Sequence, residues 1–171
     1  RTGCGLCGSE WKARPVSAFT PAQLAALKGL APFEVSAAVL LRASSAIRSA
    51  QVLQAVTGAT HASAYVSAGG EVLLLREDVG RHNALDKLIG ALKGQNQLKQ
   101  SAGFIMTTSR ASYEMVQKTV SAGVNMLSVI APAVKVAVRI AEQYGVTLVG
   151  FTRERSVVVY SDSQNIVQFG Q

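Results

Sequence analysis

The chain has few cysteines, few aromatic residues and no apolar run long enough to cross a bilayer. It contains 171 residues, of which two are cysteines and 6% are aromatic. The most apolar stretch, residues 124–138, is interrupted by Asn125, Ser128, Pro132 and Lys135, so it does not predict a membrane span. A chain of this length buries enough surface to fold without disulfide bonds. We therefore expect a cytoplasmic protein whose cysteines serve metal or redox chemistry.

Acidic residues are also scarce. Seventeen lysines and arginines face ten aspartates and glutamates, which gives a formal net charge of +7. The basic residues are scattered along the chain, whereas nucleic-acid interfaces usually cluster them among aromatic residues. The excess favours an anionic ligand or an acidic partner rather than nucleic acid. Ordinary solvated charge would explain the composition equally well.

The hydrophobic pattern predicts one domain over residues 1–171, with a mobile cysteine loop (1–19), a helical segment (20–57) and an α/β core (58–171). Within the helical segment, one helix is predicted over 20–28 and a second from Pro32 to Gly58. Residues 62–67 and 71–76 then read as a β-hairpin around Gly69 and Gly70.

Apolar strands alternate with amphipathic helices in the rest of the chain. The predicted helices are 81–93, 110–121 and 133–144, and the predicted strands are 103–107, 125–130, 146–151 and 157–160. This alternation indicates an α/β layered fold with parallel strand pairs, and the preceding hairpin makes the sheet mixed.

Three polar segments follow predicted strands, at the end of an α/β sheet where ligands usually bind. They are residues 76–87, 107–114 and 152–156. In the first, Arg81 and His82 follow Gly80 at a helix start, where backbone N–H groups favour an anion. Simple helix capping by Asp78 or Asn83 is the alternative.

The other two segments also carry arginine. Ser109 is a plausible N-cap, and Arg110 would then begin a helix against the positive end of the helix dipole, which suggests a compensating anion. In the third segment, Arg153 and Arg155 flank Glu154, a pattern equally typical of a charged turn.

Cys4 and Cys7 lie in a loop rich in glycine. Such a loop suits a thiolate that must visit two partners, provided that positive charge nearby lowers the pKa of the thiol. Cys4, Cys7, His61 and His82 also form a possible Cys₂His₂ zinc set, which would make the protein a zinc-binding module or hydrolase. The 21-residue separation of the histidines is unlike common zinc fingers, so we predict no metal site.

Five segments together resemble the FdhD family of formate dehydrogenase accessory sulfurtransferases. They are RTGCGLCG (1–8), TGATHASAYV (57–66), EDVGRHNALDKLIG (77–90), TTSRASYEMVQK (107–118) and VTLVGF (146–151). The resemblance implies a three-layer α/β/α fold with a mixed sheet, similar to that of cytidine deaminases. Family members carry a long segment before the cysteine motif, so we expect this sequence to be a C-terminal fragment.

The resemblance also implies a function. Such proteins take sulfur from a cysteine desulfurase as a persulfide, here on Cys4 with Cys7 as relay or resolving residue. They pass it to the molybdenum of bis(molybdopterin guanine dinucleotide), which then enters the apo-formate dehydrogenase catalytic subunit. GDP or GTP would mimic part of that cofactor. Residues 34–56 are compatible with a homodimer. The expected cofactor-binding residues are Phe151, Thr152, Arg153, Glu154, Arg155, Ser156, Ser109, Arg110, Arg81 and His82.

Overall fold

A computed structural model describes residues 33–95, 102–153 and 156–169, with the side chains of Phe151 and Arg153 excepted. The strands are β1 (Val35–Ser36), β2 (His61–Ser67), β3 (Val72–Asp78), β4 (Gly103–Thr107), β5 (Met126–Val129), β6 (Thr147–Arg153), β7 (Ser156–Ser161) and β8 (Val167–Gln168). The helices are α1 (Ala37–Ala50), α2 (Val52–Thr57), α3 (Arg81–Gly94), α4 (Tyr113–Ser121) and α5 (Lys135–Tyr144).

Six strands form a mixed sheet in the order β3-β2-β4-β5-β6-β7. The β4–β5 and β5–β6 pairs are parallel, and the other three pairs are antiparallel. Every residue of β4 is buried, as is typical of a strand in the centre of a covered sheet. The predicted α/β class and the mixed sheet are confirmed.

Helices cover both faces of this sheet. On one face, Leu85, Leu88 and Leu92 of α3 pack with residues of α4 and α5 against Tyr65, Ile105 and other strand residues. On the opposite face, Leu40 and Ile47 of α1 belong to a second buried cluster that includes Phe104. The described part of the chain therefore has the three layers that the resemblance implies.

Two predicted helices differ from the structure. The segment after Pro32 is not one continuous helix, because β1 precedes α1 and Gln51 separates α1 from α2. Helix α4 begins at Tyr113 with Ser112 as its N-cap, not at Arg110. The backbone of Ala111, two residues before α4, instead forms an isolated parallel bridge with that of Ala133. The helix predicted over 20–28 lies outside the described residues.

A second, two-stranded sheet joins parts of the chain that are distant in sequence. Val35 and Ser36 of β1 pair in parallel with Val167 and Gln168 of β8. The carboxylate of Asp162 holds the approach to β8, because it accepts hydrogen bonds from Thr147 Oγ1 and from the backbone N–H groups of Ile166 and Val167. Neither short strand was predicted from the sequence.

Candidate functional site

The described parts of the three polar segments predicted to carry the site share one edge of the large sheet. Strands β3, β4, β5 and β6 run in the same direction, so their carboxyl ends lie together. Strand β2 runs the opposite way, and its first residue, His61, pairs with Asp78 at the end of β3. We call this the carboxyl edge of the sheet. It is the edge where open α/β sheets usually bind ligands.

A cavity of about 580 Å³ lies at this edge. Its volume is within the range of small-molecule sites. It is bounded by the last turn of α1, the segment from Gln51 to His61, and the residues that follow β4 and β5. The lining residues are Arg48, Gln51, Gln54, Gly58, Ala59, Thr60, His61, Thr108 and Ile130.

Gln51 provides an unusual polar group in the cavity wall. Its side chain is 6% exposed, and its amide Nε2 has no hydrogen-bonding partner among the described residues. The Gln51 side chain lies beside the Glu77 carboxylate and helps to lower the pKa of Glu77. Buried polar groups are normally paired, so a donor left unpaired beside a cavity is suited to a polar ligand.

Two neighbouring carboxylates at the end of β3 organise the adjoining helices. Glu77 accepts hydrogen bonds from the backbone N–H groups of Leu53 and Gln54 at the start of α2. Asp78 pairs with Lys87 and accepts a hydrogen bond from Gly80 N, and these contacts lower the pKa of Asp78 to about 2. The N-cap of α3 is Gly80, and no side chain of the described residues caps the helix, so Asp78 stabilises the turn before α3 and the capping expected from Asp78 or Asn83 is not present.

Arg81 and His82 stand at the start of α3. His82 Nε2 lies 3.2 Å from Ser112 Oγ and 4.0 Å from Glu114 Oε2, which connects α3 to the start of α4. Burial, followed by the positive charge of Arg81, lowers the pKa of His82. The same two causes lower the pKa of His61 in the cavity wall. Both histidines are therefore predominantly neutral near pH 7.

The hydroxyl groups of residues 107–109 bind the backbone of β2 and their own loop, and Thr108 Oγ1 accepts a hydrogen bond from Ala62 N. Thr107 Oγ1 donates to Ala62 O and lies 3.2 Å from Ser109 Oγ, and Ser109 Oγ donates to Arg110 O. Ser109 is buried and Arg110 is exposed. Because α4 starts later than predicted, Ser109 is not its N-cap and Arg110 does not oppose its dipole. Their role in cofactor binding stays a prediction.

The segment after β6 is described only in part. Thr152 is fully buried, its Oγ1 lies 2.9 Å from Ser128 Oγ, and its carbonyl oxygen accepts a hydrogen bond from Ser44. Ser156 is exposed at the start of β7. Glu154, Arg155 and the side chains of Phe151 and Arg153 lie outside the described residues, as do Cys4 and Cys7. Their predicted roles rest on the sequence.

Within the described ranges, no group of three or more His, Cys, Asp or Glu side chains is arranged to hold a metal ion. The two histidines have different surroundings. His61 lines the cavity, whereas His82 contacts Ser112. In the same part of the chain, no helix combines the length and the apolar character that crossing a membrane requires.

None of the described residues predicted to bind the cofactor lines this cavity, although the predicted polar segments after β3 and β4 begin at the same edge of the sheet. Gly58, Thr60 and His61 belong to the segment TGATHASAYV, in which only His61 was given a binding role, as a ligand of the alternative zinc set. Arg48 and Gln51 lie in the segment predicted as one long helix. A break after α1 would have pointed to them, but no proline or glycine marks it.

The fold and the cavity define a three-layer α/β protein with a ligand-sized site at the carboxyl edge of its sheet. The model of the FdhD/NarQ family matches residues 1–167, so the chain belongs to that family. It is 50% identical over 161 residues to "Sulfur carrier protein FdhD" of Variovorax paradoxus, covering 94% of this chain and 55% of that protein. It is 48% identical over 166 residues to the protein of the same name from Bordetella parapertussis, covering 97% and 57%.

The chain thus spans about half the length of these curated relatives. The fold is also similar to the crystal structure of a protein from Desulfotalea psychrophila that is described as a formate dehydrogenase accessory protein. The TM-score is 0.67 at 24% identity, covering 83% of this chain and 61% of that one. This likeness confirms the fold.

Proposed function

We propose that this chain is the sulfur-carrying part of a cytoplasmic sulfurtransferase that serves formate dehydrogenase. Cys4 accepts sulfur from a cysteine desulfurase, and the acceptor is the molybdenum of bis(molybdopterin guanine dinucleotide), destined for the apo-formate dehydrogenase catalytic subunit. Membership of the FdhD/NarQ family, whose curated relatives are named sulfur carrier proteins, carries the proposal.

The transfer balances if the two cysteines act in sequence. The Cys4 thiolate attacks the outer sulfur of the desulfurase persulfide, which leaves the desulfurase thiolate and a Cys4 persulfide. Cys7 then attacks the inner sulfur of that persulfide. A Cys4–Cys7 disulfide forms, and the outer sulfur leaves as sulfide for the metal. Two cysteine sulfurs are oxidised and the sulfane sulfur is reduced, and a cellular thiol restores the reduced pair.

Intact-mass measurement after incubation with a cysteine desulfurase and cysteine tests this assignment. We expect the wild-type chain to gain one sulfur atom first and then to lose it as the Cys4–Cys7 disulfide forms, which leaves the chain lighter by two hydrogens, and we expect Cys4→Ser to gain none. Cys7→Ser should gain the sulfur and retain it, because no second thiol expels it. An unchanged wild-type mass, or an equal gain in Cys4→Ser, contradicts the role of Cys4.

The cavity at the carboxyl edge is proposed to hold a guanine nucleotide end of the cofactor. Its volume fits a nucleotide portion, and the guanidinium group of Arg48 is suited to phosphate. The unpaired Gln51 amide is a donor for a carbonyl oxygen such as that of guanine. The predicted binding residues Arg81 and Arg110 follow strands that end at this edge.

Calorimetric titration with GDP tests the cavity. We expect binding of GDP in preference to ADP, and a Kd about three- to tenfold higher in Gln51→Met, as loss of one hydrogen bond predicts. Gln95→Met, at the exposed end of α3, is the matched control and should bind as the wild type does. No binding at millimolar GDP, or equal binding of ADP, contradicts a guanine site.

A homodimer is proposed through the region of α2. Val52, Leu53 and Val56 are 71%, 50% and 82% exposed on a helix that buries none of its residues. They belong to residues 34–56, the range whose sequence is compatible with a homodimer. Multi-angle light scattering should give a dimer for the wild type and a monomer for Val56→Lys. A wild-type monomer at all concentrations contradicts the proposal.

A further inference from the structure

Helix α2 depends on a carboxylate from another part of the chain. It has six residues, none of them buried, and a helix this short is not stable by itself. Its N-cap, Gln51, makes no side-chain capping bond. Instead, Leu53 N donates to Glu77 Oε2 at 2.8 Å and Gln54 N donates to Glu77 Oε1 at 2.9 Å. Glu77 therefore caps α2 from strand β3.

The same carboxylate also holds the far end of this segment. Thr60 Oγ1 donates to Glu77 Oε1 at 2.9 Å, and Thr60 N donates to Gln54 Oε1 at 2.7 Å. Between these contacts, Gly58 ends the helix with a φ of +65°, a conformation that favours glycine. Both ends of the segment from Val52 to Thr60 therefore donate hydrogen bonds to Glu77.

This segment forms one wall of the cavity. Gln54, Gly58, Ala59 and Thr60 line the cavity, whereas Glu77 is not among its lining residues. The remaining walls come from α1, β2 and the strand ends, which the hydrophobic core holds in place. The wall formed by the segment from Gln51 to Thr60 is therefore held mainly by its hydrogen bonds to the Glu77 carboxylate.

We propose that Glu77 is a positioning residue for the cavity, which fixes the Gln51–Thr60 wall in its ligand-binding geometry without contacting the ligand. This inference rests on the proposed function, because it assumes that the cavity holds the nucleotide end. A wall that is in place for only part of the time weakens apparent affinity in proportion to that fraction.

The electrostatics agree with this role. Burial opposes ionisation of Glu77, but the hydrogen bonds from Leu53, Gln54 and Thr60 outweigh it and lower the pKa of Glu77. The group is a carboxylate near pH 7, and a negative charge at a helix N-terminus is favourable. A neutral amide of the same shape would lose the charge and present an N–H group to backbone N–H donors.

The test is Glu77→Gln, measured by amide hydrogen exchange and by GDP titration of the same chain. We expect faster exchange across residues 52–60 with unchanged exchange in β4 and β5. The Kd for GDP should rise about tenfold if the wall is in place about a tenth of the time. Glu71→Gln is the matched control, because this exposed carboxylate lies at the other end of the same hairpin.

The outcomes separate this inference from the proposed function. If the wild type binds GDP and Glu77→Gln binds it with the same Kd, Glu77 is not a positioning residue, while the nucleotide site stands. If the wild type binds no GDP, the nucleotide site fails, and unchanged exchange over residues 52–60 would also overturn the role of Glu77. Should Glu77→Gln not fold, Glu77→Asp retains the charge on a shorter side chain and should give intermediate exchange and affinity.

Discussion

Arg81 influences both histidines of the chain from the first position of α3. Its positive charge, after burial, lowers the pKa of His61 in the cavity wall and of His82 beside Ser112. The imidazoles are therefore held neutral at the edge where an anionic ligand is proposed. At this edge, positive charge for the ligand comes from guanidinium groups, which do not titrate near neutral pH.

Replacement of Arg81 by glutamine should raise the pKa of both His61 and His82. Removing the positive charge removes one cause that disfavours the imidazolium form, while burial remains, so we expect values that stay below the ordinary histidine value. NMR titration measures this directly because the chain has only two histidines. Arg42→Gln, on the exposed side of α1, should leave both values unchanged. A shift at only one histidine would show that Arg81 acts on one of them alone.

Element boundaries were predictable where a local signal marks them. Helix α3 follows Gly80 and ends close to the prediction, and strand β4 has the predicted bounds, because a run of buried apolar residues defines it. The break at Gln51 was not predictable, since its cause is the hydrogen bonding of α2 to Glu77, which is remote in sequence. Likewise, the backbone bridge between Ala111 and Ala133, not a local residue preference, delays the start of α4.

Strand β4 begins at a glycine that the packing requires. A Cβ atom on Gly103 would lie 2.4 Å from Val66 O and 2.9 Å from Tyr65 Cζ. The carbonyl oxygen belongs to the backbone of paired strand β2, so it cannot move away without disturbing the pairing of the two strands. For Gly90, in the middle of α3, no atom of the described residues outside the helix's own backbone lies within 4 Å of the corresponding position.

Gly103→Ala should therefore reduce the free energy of unfolding by about 1–3 kcal/mol, as overpacking does. Gly90→Ala is the opposite case and should stabilise by about 0.5–1 kcal/mol, because alanine is the better helix former and meets no neighbour. Urea unfolding of both variants measures the difference. Equal stability of the two variants would show that β4 can shift to accept a side chain.

At the scale of the whole molecule, the common direction of β3, β4, β5 and β6 places the polar residues that follow these strands at one edge of the sheet. The alternation of helices and strands predicted the layers and the mixed sheet, and it placed the polar segments after strand ends. It could not give the strand order, nor bring Arg48 to the ends of β4 and β5, because those depend on how α1 crosses the sheet. The pairing of β1 with β8 involves two residues in each strand, too few to leave a pattern in the sequence.

This arrangement predicts where the net positive charge matters for nucleotide binding. Arg110→Ala, at the carboxyl edge, should raise the Kd for GDP about fivefold and reduce its dependence on salt, with little change in thermal stability because Arg110 is exposed. Lys93→Ala removes an exposed charge from the last turn of α3, at the opposite edge, and should leave the Kd unchanged. Titrations at two salt concentrations measure both effects. Equal losses in the two variants would indicate a general effect of net charge.

The pairing of β1 with β8 constrains the order in which parts of the chain can fold during synthesis. Val35, two residues before α1, donates its N–H to the carbonyl of Ile166, so this anchor needs residues made more than a hundred positions later. During translation, the rest of the sheet can assemble while the entry to α1 still lacks its anchor. We expect the helix that brings Arg48 to the cavity to gain this anchor only after residues 166–168 have emerged from the ribosome.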